Sequence, residues 1–419
     1  MRYSNFLIKT RKESAKCADS VNADLLVRAS YIDQVMAGVY TYLPLGLMVI
    51  KKIENIIRQE MNEAGGSELF MPALQPAENW KKTGRWETED NLYRFTSYYS
   101  KTELALGPTH EEVVMPLMAK YISSYRDLPK YVYQIQNKFR DERRAKSGIL
   151  RGREFLMKDL YSFHTDVKDL DVFYEKMKES YKNIYKNCGI GDKTYLTFAS
   201  GGSFSKFSHE FQTETEAGED TIYLCKKCKV AVNKEVIDIQ KECPDCGSST
   251  LVELKAVEVG NIFKNMTKYT EPFDVKYSDE SGKENLVVTG CYGIGLGRLM
   301  GTIVEVSHDE KGIIWPKNVA PFQIELVSLG DSEVTKVTEK IYKDMLKREV
   351  EVLWDDREES AGNKLADADL LGFPLRIVVS KKTIDNDSVE LKLRNSDKSE
   401  LVRIDELNAV IADKLKDAK

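Results

Sequence analysis

Hydrophobic positions after Pro44 recur at helical spacing. Leu47, Ile50, Ile53, Ile57 and Met61 share one face, and Gly65 and Gly66 end the run, so the pattern predicts a long amphipathic helix. The short apolar run 67–76, bounded by Pro72 and Pro76, reads as a strand. Positions 131–139 interleave aromatic and β-branched residues with polar ones, which predicts another strand, and 153–164 reads as its partner. From 166 to 187 the period returns to that of a helix, with Leu170, Phe173, Met177, Tyr181 and Ile184 on one face. Positions 257–263 and 286–288 read as strands, and 290–304 as a glycine turn running into a helix.

Pro316 and Pro321 mark a change of pattern. Strand-like 324–329, 350–354 and 377–379 alternate with helical 334–348 and 362–371, and a polar hairpin region precedes a final helix. That alternation predicts a small α/β domain, with its boundary near 318–322. At 419 residues the chain exceeds one ordinary domain, and 42% hydrophobic with 31% charged residues is a globular composition. The net charge of −5 excludes a general basic coat for nucleic acid but not a local basic patch. No apolar run approaches the roughly 20 residues of a membrane span, so no membrane association is expected. The opening residues lack an apolar core and cleavage site, so no secretory signal is expected. Seven cysteines, three of them scattered singly as Cys17, Cys188 and Cys291, are unlike a secreted disulfide framework and point to a reducing cytoplasm.

Four elements could carry chemistry. Cys225, Cys228, Cys243 and Cys246 form two CxxC hooks, the spacing of a zinc-ribbon-like element. Four thiolates leave no open coordination position, so such a zinc would be structural; an eroded ribbon without metal stays open. Between 138 and 153, Lys138, Arg140, Arg143, Arg144, Lys146, Arg151 and Arg153 face only Asp141 and Glu142. Guanidinium forks there suit polyphosphate, and a solvated charged loop is the other reading. Gly290, Gly293, Gly295 and Gly297 match neither a dinucleotide fingerprint nor a P-loop, and would let a ligand approach the backbone with Arg298 aimed at an anion; a packing turn stays open. Gly107-Pro108-Thr109-His110-Glu111-Glu112 offers a hydroxyl and carboxylates to an amine, and equally reads as a helix start.

In that order, the helix after Pro44, the 107–112 loop, Phe139-Arg140-Asp141-Glu142 through Arg151, Phe155, Lys158 and Asp159, and Gly293 to Arg298 resemble motifs 1, 2 and 3 of the class II aminoacyl-tRNA synthetases. The 107–112 loop, 153–164, 208–212 and 290–295 resemble the bacterial-type prolyl branch, and the likeness spans nearly the whole chain. The resemblance implies an α+β fold: an antiparallel catalytic sheet of six or seven strands flanked by helices, a small four-cysteine insertion and a C-terminal α/β anticodon-binding domain. The implied division is 1–220 catalytic with motifs 1 and 2, 221–253 the insertion, 254–318 catalytic with motif 3, and 319–419 anticodon-binding.

It implies ligation of L-proline to tRNA(Pro) with ATP and Mg²⁺, through an adenylate, in a cytoplasmic homodimer. Arg140 is expected on the α-phosphate and the proline carboxylate, Glu142 on the adenine edge and Arg151 on the γ-phosphate. Phe155 and Arg298 would sandwich adenine, with Gly295 beside them and Glu210 and Gln212 near Mg²⁺. Thr109 and Glu111 would receive the imino group, with Phe163, His164, His209 and Cys291 around the ring. Asp355, Arg357 and Lys364 belong to the anticodon signature. A paralogue without catalysis would be expected to have lost the arginines or the amine loop, and all are present. The branch commonly carries a large insertion that hydrolyses alanyl-tRNA; the compact cysteine element stands in its place, so no editing in cis is expected.

Overall fold

The computed structural model describes residues 1–14, 19–200 and 207–417, so Cys17 lies outside the described residues. The chain divides into two compact units: Met1–Val35 with Tyr40–Ile53 and Ile303–Lys419, and Met36–Val39 with Glu54–Thr302. Helix α1 (Pro44–Glu63) follows the predicted stripe. Ile50, Ile53, Ile57 and Met61 are buried, whereas Leu47 falls at the margin of the stripe and is exposed; Leu45 and Val49 take its place.

The run 67–76 is not one strand. Ser67–Glu68 (β1) pairs with a central strand, and Leu74–Pro76 (β2) joins a separate three-stranded sheet with Tyr93–Thr96 (β3) and Glu103–Leu106 (β4). Pro72 has no N–H to give a ladder. Side-chain amides hold the gap instead: Met71 N–H donates to Gln134 Oε1 at 3.0 Å, and Gln136 Nε2 donates to Met71 O at 2.8 Å. Helix α2 (Glu111–Met118) follows.

The main sheet is built on β5 (Lys130–Phe139) and β6 (Glu154–His164), antiparallel partners as their pattern predicts. Helix α3 (Val167–Asn187), N-capped by Asp166, buries the five apolar residues read from the sequence. The sheet continues with β7 (Thr194–Ser200), β8 (Phe207–Glu214), β9 (Asp220–Cys225), β10 (Ala231–Asn233), β11 (Leu251–Met266) and β12 (Val288–Gly295), in the order β8-β7-β10-β9-β11-β12-β6-β5-β1. Among the described residues it therefore has nine strands, more than the six or seven expected, because the cysteine-bearing segment adds β9 and β10. Pairing is antiparallel except at β1–β5 and β10–β7.

Two readings change here. Of the strand read at 286–288, Leu286 ends a short strand (Glu284–Leu286) and Val288 opens β12, with Val287 the break between them, and Gly290–Gly295 lie within β12 rather than in a turn. A Cβ at Gly290 would come within 2.6 Å of the Tyr292 hydroxyl and 3.0 Å of Leu170 and Ser162, so crowding on a central strand, not a turn, demands glycine. Helix α4 (Leu296–Val306) follows directly.

The other unit carries β13 (Ile324–Leu329), α5 (Ser332–Lys347), β14 (Val352–Asp355), α6 (Ala361–Leu371), β15 (Leu375–Ser380), β16 (Ser388–Leu393), β17 (Ser399–Arg403) and α7 (Leu407–Asp417). β14, β13 and β15 are parallel, and β16 and β17 extend the sheet antiparallel. Ile324, Leu326, Ile341, Met345, Trp354, Ile377 and Val389 form its core. Among the described residues, no helix is long and apolar enough to cross a membrane.

Candidate active site

Strand alternation builds the site. Phe155, Met157, Asp159 and Tyr161 lie on one face of β6 and line a cavity of about 380 Å³. The register sets Cys291 beside Tyr161 and Gly293 beside Asp159, then Phe263 beside Cys291 and Asn261 beside Gly293. Gly293 keeps this floor open: a Cβ there would stand 3.2 Å from Asn261 Oδ1. Thr109 and Glu111 border it from the start of α2, hydrogen-bonded to each other, and Arg140 and Glu142 from the end of β5.

The charges around this cavity cancel in pairs, with two exceptions. Arg151 meets Glu142 at 2.8 Å, Arg298 meets Glu258 at 3.2 Å and Arg85 meets Glu89 at 2.8 Å. Asp159 meets the buried Lys138 at 2.8 Å. Among the described residues, Glu111 is the one lining carboxylate with no Lys or Arg nitrogen within 4.0 Å, and Arg140 the one lining cation with no carboxylate so placed. Arg140 lies over the Phe155 ring at 5.2 Å. A cavity that presents one unmatched anion and one unmatched cation suits a zwitterion, since an unpaired buried charge is costly.

Of the residues read from the sequence, Thr109, Glu111, Arg140, Glu142, Arg151, Phe155, Cys291, Gly295 and Arg298 line this one cavity. Phe163 shares their face of β6 but is buried among Met71, Val114 and Met115. His164 is off by one position, so it points to the opposite face, where Nδ1 lies 2.8 Å from Asp169 Oδ2. His209 likewise meets the Tyr174 hydroxyl at 2.9 Å, and burial, then Lys178 and Lys264, lower its pKa to about 3. These three are corrections to the expected ring wall. Glu210 and Gln212 stand behind Glu258, joined at 3.0 Å, with the Glu210 carboxyl raised to about 8 by burial and then by Glu258. Lys138, counted with the phosphate-facing cations, is fully buried.

Asp159, Tyr161, Asn261, Phe263, Glu258 and Arg85 also line the cavity, beyond the site residues that the resemblance implies. Alternation from Phe155 gives Asp159 and Tyr161; nothing local to the sequence gives the others, which arrive by register.

Asp355 and Lys364 are also corrected. Both are buried; Lys364 Nζ donates to Ser328 O at 2.9 Å and Asp355 O at 3.2 Å, and Arg357 bridges Asp355 and Asp367 while lying 3.7 Å above the Tyr3 ring. They brace the corner after β14 instead of facing outward.

The four cysteines converge. All four sulfurs lie within 4.8 Å of one another, with Cys225–Cys246 at 3.6 Å and Cys228–Cys243 at 3.3 Å. A tetrahedron with Zn–S near 2.3 Å has edges of about 3.8 Å, so the set fits zinc. The two knuckles match: Lys229 and Gly247, each just after its hook, hold φ of 63° and 68°.

The model of the tRNA synthetase class II core domain (G, H, P, S and T) matches residues 93–307, and that of an anticodon binding domain matches 319–414. The proline–tRNA ligase of Dehalococcoides mccartyi strain 195 is 34% identical, covering 97% of this chain and 98% of that protein. That of Citrifermentans bemidjiense is 34% identical over the full length of both. The first alignment runs over 557 positions against 419 residues here, so well over a hundred positions of that relative have no counterpart. The crystal structure of prolyl-tRNA synthetase from Cryptosporidium parvum with L-proline and AMP shares the fold at a TM-score of 0.77 and 19% identity, covering 95% of this chain and 75% of that one. The chain belongs to the proline–tRNA ligases, a family of class II aminoacyl-tRNA synthetases.

Proposed function

We propose that the cavity joins L-proline and ATP as prolyl-adenylate and then transfers the prolyl group to tRNA(Pro). The observation that carries this reading is the unmatched pair, Glu111 and Arg140, in one cavity. Glu111, with Thr109, takes the imino group, and Arg140 takes the carboxylate and the α-phosphate it attacks. The carboxylate oxygen displaces pyrophosphate; the terminal ribose hydroxyl then attacks the acyl carbon and AMP leaves. Positioning and charge neutralisation supply the rate, without a protein nucleophile. Phe155 and Arg298 face adenine beside Gly295, Glu142 meets its amino edge, Arg151 holds the γ-phosphate and Cys291 lies against the ring. The neighbouring fold crystallised with L-proline and AMP supports this choice of ligands. Oxygen donors of Glu210 and Gln212, with Glu258, are the hard ligands that Mg²⁺ would take to neutralise phosphate charge. ATP–pyrophosphate exchange measured separately with proline, alanine, threonine and serine tests the reading: proline should dominate, and exchange only with another would overturn it.

The domain roles follow: 1–220 and 254–318 catalytic, 221–253 the zinc insertion, 319–419 for the anticodon. That last segment holds no basic surplus, so local contacts to splayed bases must supply recognition. The framework of Asp355, Arg357 and Lys364 shapes that surface from within. A homodimer is supported by the face of the β2–β4–β3 sheet, where Leu74 and Phe95 are 49% and 42% exposed, with Phe70 nearby in sequence at 77%. The reaction places the protein in the cytoplasm.

The purified chain should carry one structural zinc per protomer. Chelation or Cys243→Ser should release it and lower Tm by about 5 °C or more, as loss of a folding ligand does. Metal analysis finding no zinc in the unaltered protein would exclude this. Alanine should also be activated, at a kcat/KM on the order of 100-fold below proline, because missing methylenes are worth only about 1–3 kcal/mol each. Without an editing insertion, Ala-tRNA(Pro) should survive incubation with the enzyme; unaided deacylation would refute the absence of editing.

A further inference from the structure

Behind the cavity wall lies a polar network that the reaction scheme does not use. Lys138 on β5 is fully buried. Its Nζ lies 2.6 Å from His110 Nδ1 and 2.8 Å from Asp159 Oδ1. His110 Nε2 lies 3.1 Å from the Pro72 carbonyl, which can only accept, so Nε2 carries the proton and Nδ1 accepts from the ammonium. The backbone N–H of His110 donates to the Tyr161 hydroxyl at 3.0 Å, and that hydroxyl donates to Asp159 Oδ2 at 2.8 Å. Gln134 Nε2 adds a second hydrogen bond to the same oxygen, at 3.0 Å.

His110 stands between Thr109 and Glu111. The loop that bears the unmatched carboxylate is thus tied to β5 and β6 by side chain as well as backbone: the His110 N–H holds Tyr161, and its imidazole holds a lysine that no solvent reaches. We propose that Lys138 is a positioning residue for the imino-acid pocket: by bridging His110 to Asp159 it fixes where Glu111 stands relative to Arg140. The inference rests on the zwitterion reading of the cavity and extends it to a residue that touches no substrate. It also accounts for Asp159, a lining carboxylate that would otherwise compete with Glu111 for the incoming cation.

The network has a built-in readout. The charged and titratable groups facing His110 are Lys138 from β5, Asp159 and Tyr161 from β6, and Glu111 from its own helix; the Pro72 carbonyl completes the shell. Burial and the Lys138 charge hold the imidazole pKa down to about 4, whereas Asp159, 4.0 Å from Nδ1, acts the other way. With Lys138 replaced by Met, the opposing charge is gone and Asp159 is left to favour the imidazolium. His110 should then protonate at a higher pH and take over the contact with Asp159.

The test uses Lys138→Met and His110→Leu in the full chain. Proline and ATP KM are measured by ATP–pyrophosphate exchange at pH 6 to 8, and the four histidines are followed by NMR. Both variants should raise the proline KM by about tenfold or more, the effect of leaving a buried polar partner unmatched, with ATP KM little changed. In Lys138→Met the proline defect should shrink as pH falls toward 6, in step with a new His110 titration that the unaltered chain lacks in that window. His110→Leu should show no such recovery. Should Lys138→Met fail to fold, His110→Leu, which cuts the same bridge from its other end, carries the test. Proline and ATP KM rising together, or a proline KM unchanged in a folded variant, would overturn the inference. Absence of proline-dependent exchange in the unaltered chain would instead remove the zwitterion reading, and this inference with it.

Discussion

Arg140→Ala should lower kcat/KM for proline-dependent ATP–pyrophosphate exchange by about 10²–10³-fold, the equivalent of roughly 3–4 kcal/mol. The argument is one of charge balance. Arg151, Arg298 and Arg85 each already hold a carboxylate at 2.8–3.2 Å, so part of their charge is spent within the protein. Arg140 has no such partner, and its guanidinium makes a long hydrogen bond, 3.5 Å to the Pro108 carbonyl. It is therefore the group most available to an incoming anion, and the proposed reaction brings two anionic groups to it in the same step. Loss of the guanidinium should raise the KM for proline and lower kcat together, because the carboxylate binds in the ground state and the α-phosphate gathers charge in the transition state. Arg140→Lys should recover little, since an ammonium lacks the planar fork. Exchange within a few-fold of the unaltered enzyme would remove Arg140 from the chemistry and the cavity reading with it.

Much of this site was legible along the chain because it is local. The motif 2 cations and Phe155 fall within one hairpin, Thr109 and Glu111 are two residues apart, and the cysteine hooks announce their own geometry. Helix stripes were equally plain: five residues spaced along α3 all reach the core. The misreadings share a physical origin. His164 and Phe163 adjoin the right residues in sequence, but a strand turns successive side chains to opposite faces, which sends His164 away from the cavity, and Phe163, on the correct face, lies past the end of the cavity in the core with Met71 and Val114. The glycines of β12 read as a turn because their composition is that of a turn; only the neighbours across the strand, Leu170, Ser162 and Tyr292, show that crowding demands them. Pro72 divides 67–76 between two sheets, and the amides that bridge the gap come from β5, more than sixty residues away. Lys138 looked like its neighbours in a basic run, yet it is the one whose partners, His110 and Asp159, lie inside. Charge composition cannot separate a cation that faces a ligand from one that holds the wall.

Glu111 and Glu112 make that distinction sharpest, because they are adjacent, acidic and both buried. Glu112 is matched: Arg85 reaches it at 3.0 Å and the Thr83 hydroxyl at 2.9 Å, while burial, set against Arg85, raises its pKa to about 7. Glu111 has the Thr109 hydroxyl and no cation. Glu111→Gln should therefore raise the proline KM by about 10–100-fold, since a charge-assisted hydrogen bond to a buried group is worth about 1.5–3 kcal/mol. The amide keeps the size of the side chain and an oxygen for Thr109, so ATP KM and Tm should stay near those of the unaltered enzyme. Glu112→Gln should show the reverse: a lower Tm, because the buried Arg85 loses one of its two carboxylates and keeps only Glu89, and a proline KM little altered. Measured side by side in exchange and thermal unfolding, the two substitutions separate a carboxylate that waits for the substrate ammonium from one already spent on an arginine. If both variants lost Tm and neither changed the proline KM, Glu111 would be a structural residue, and the cavity would have no anion left with which to receive an imino acid.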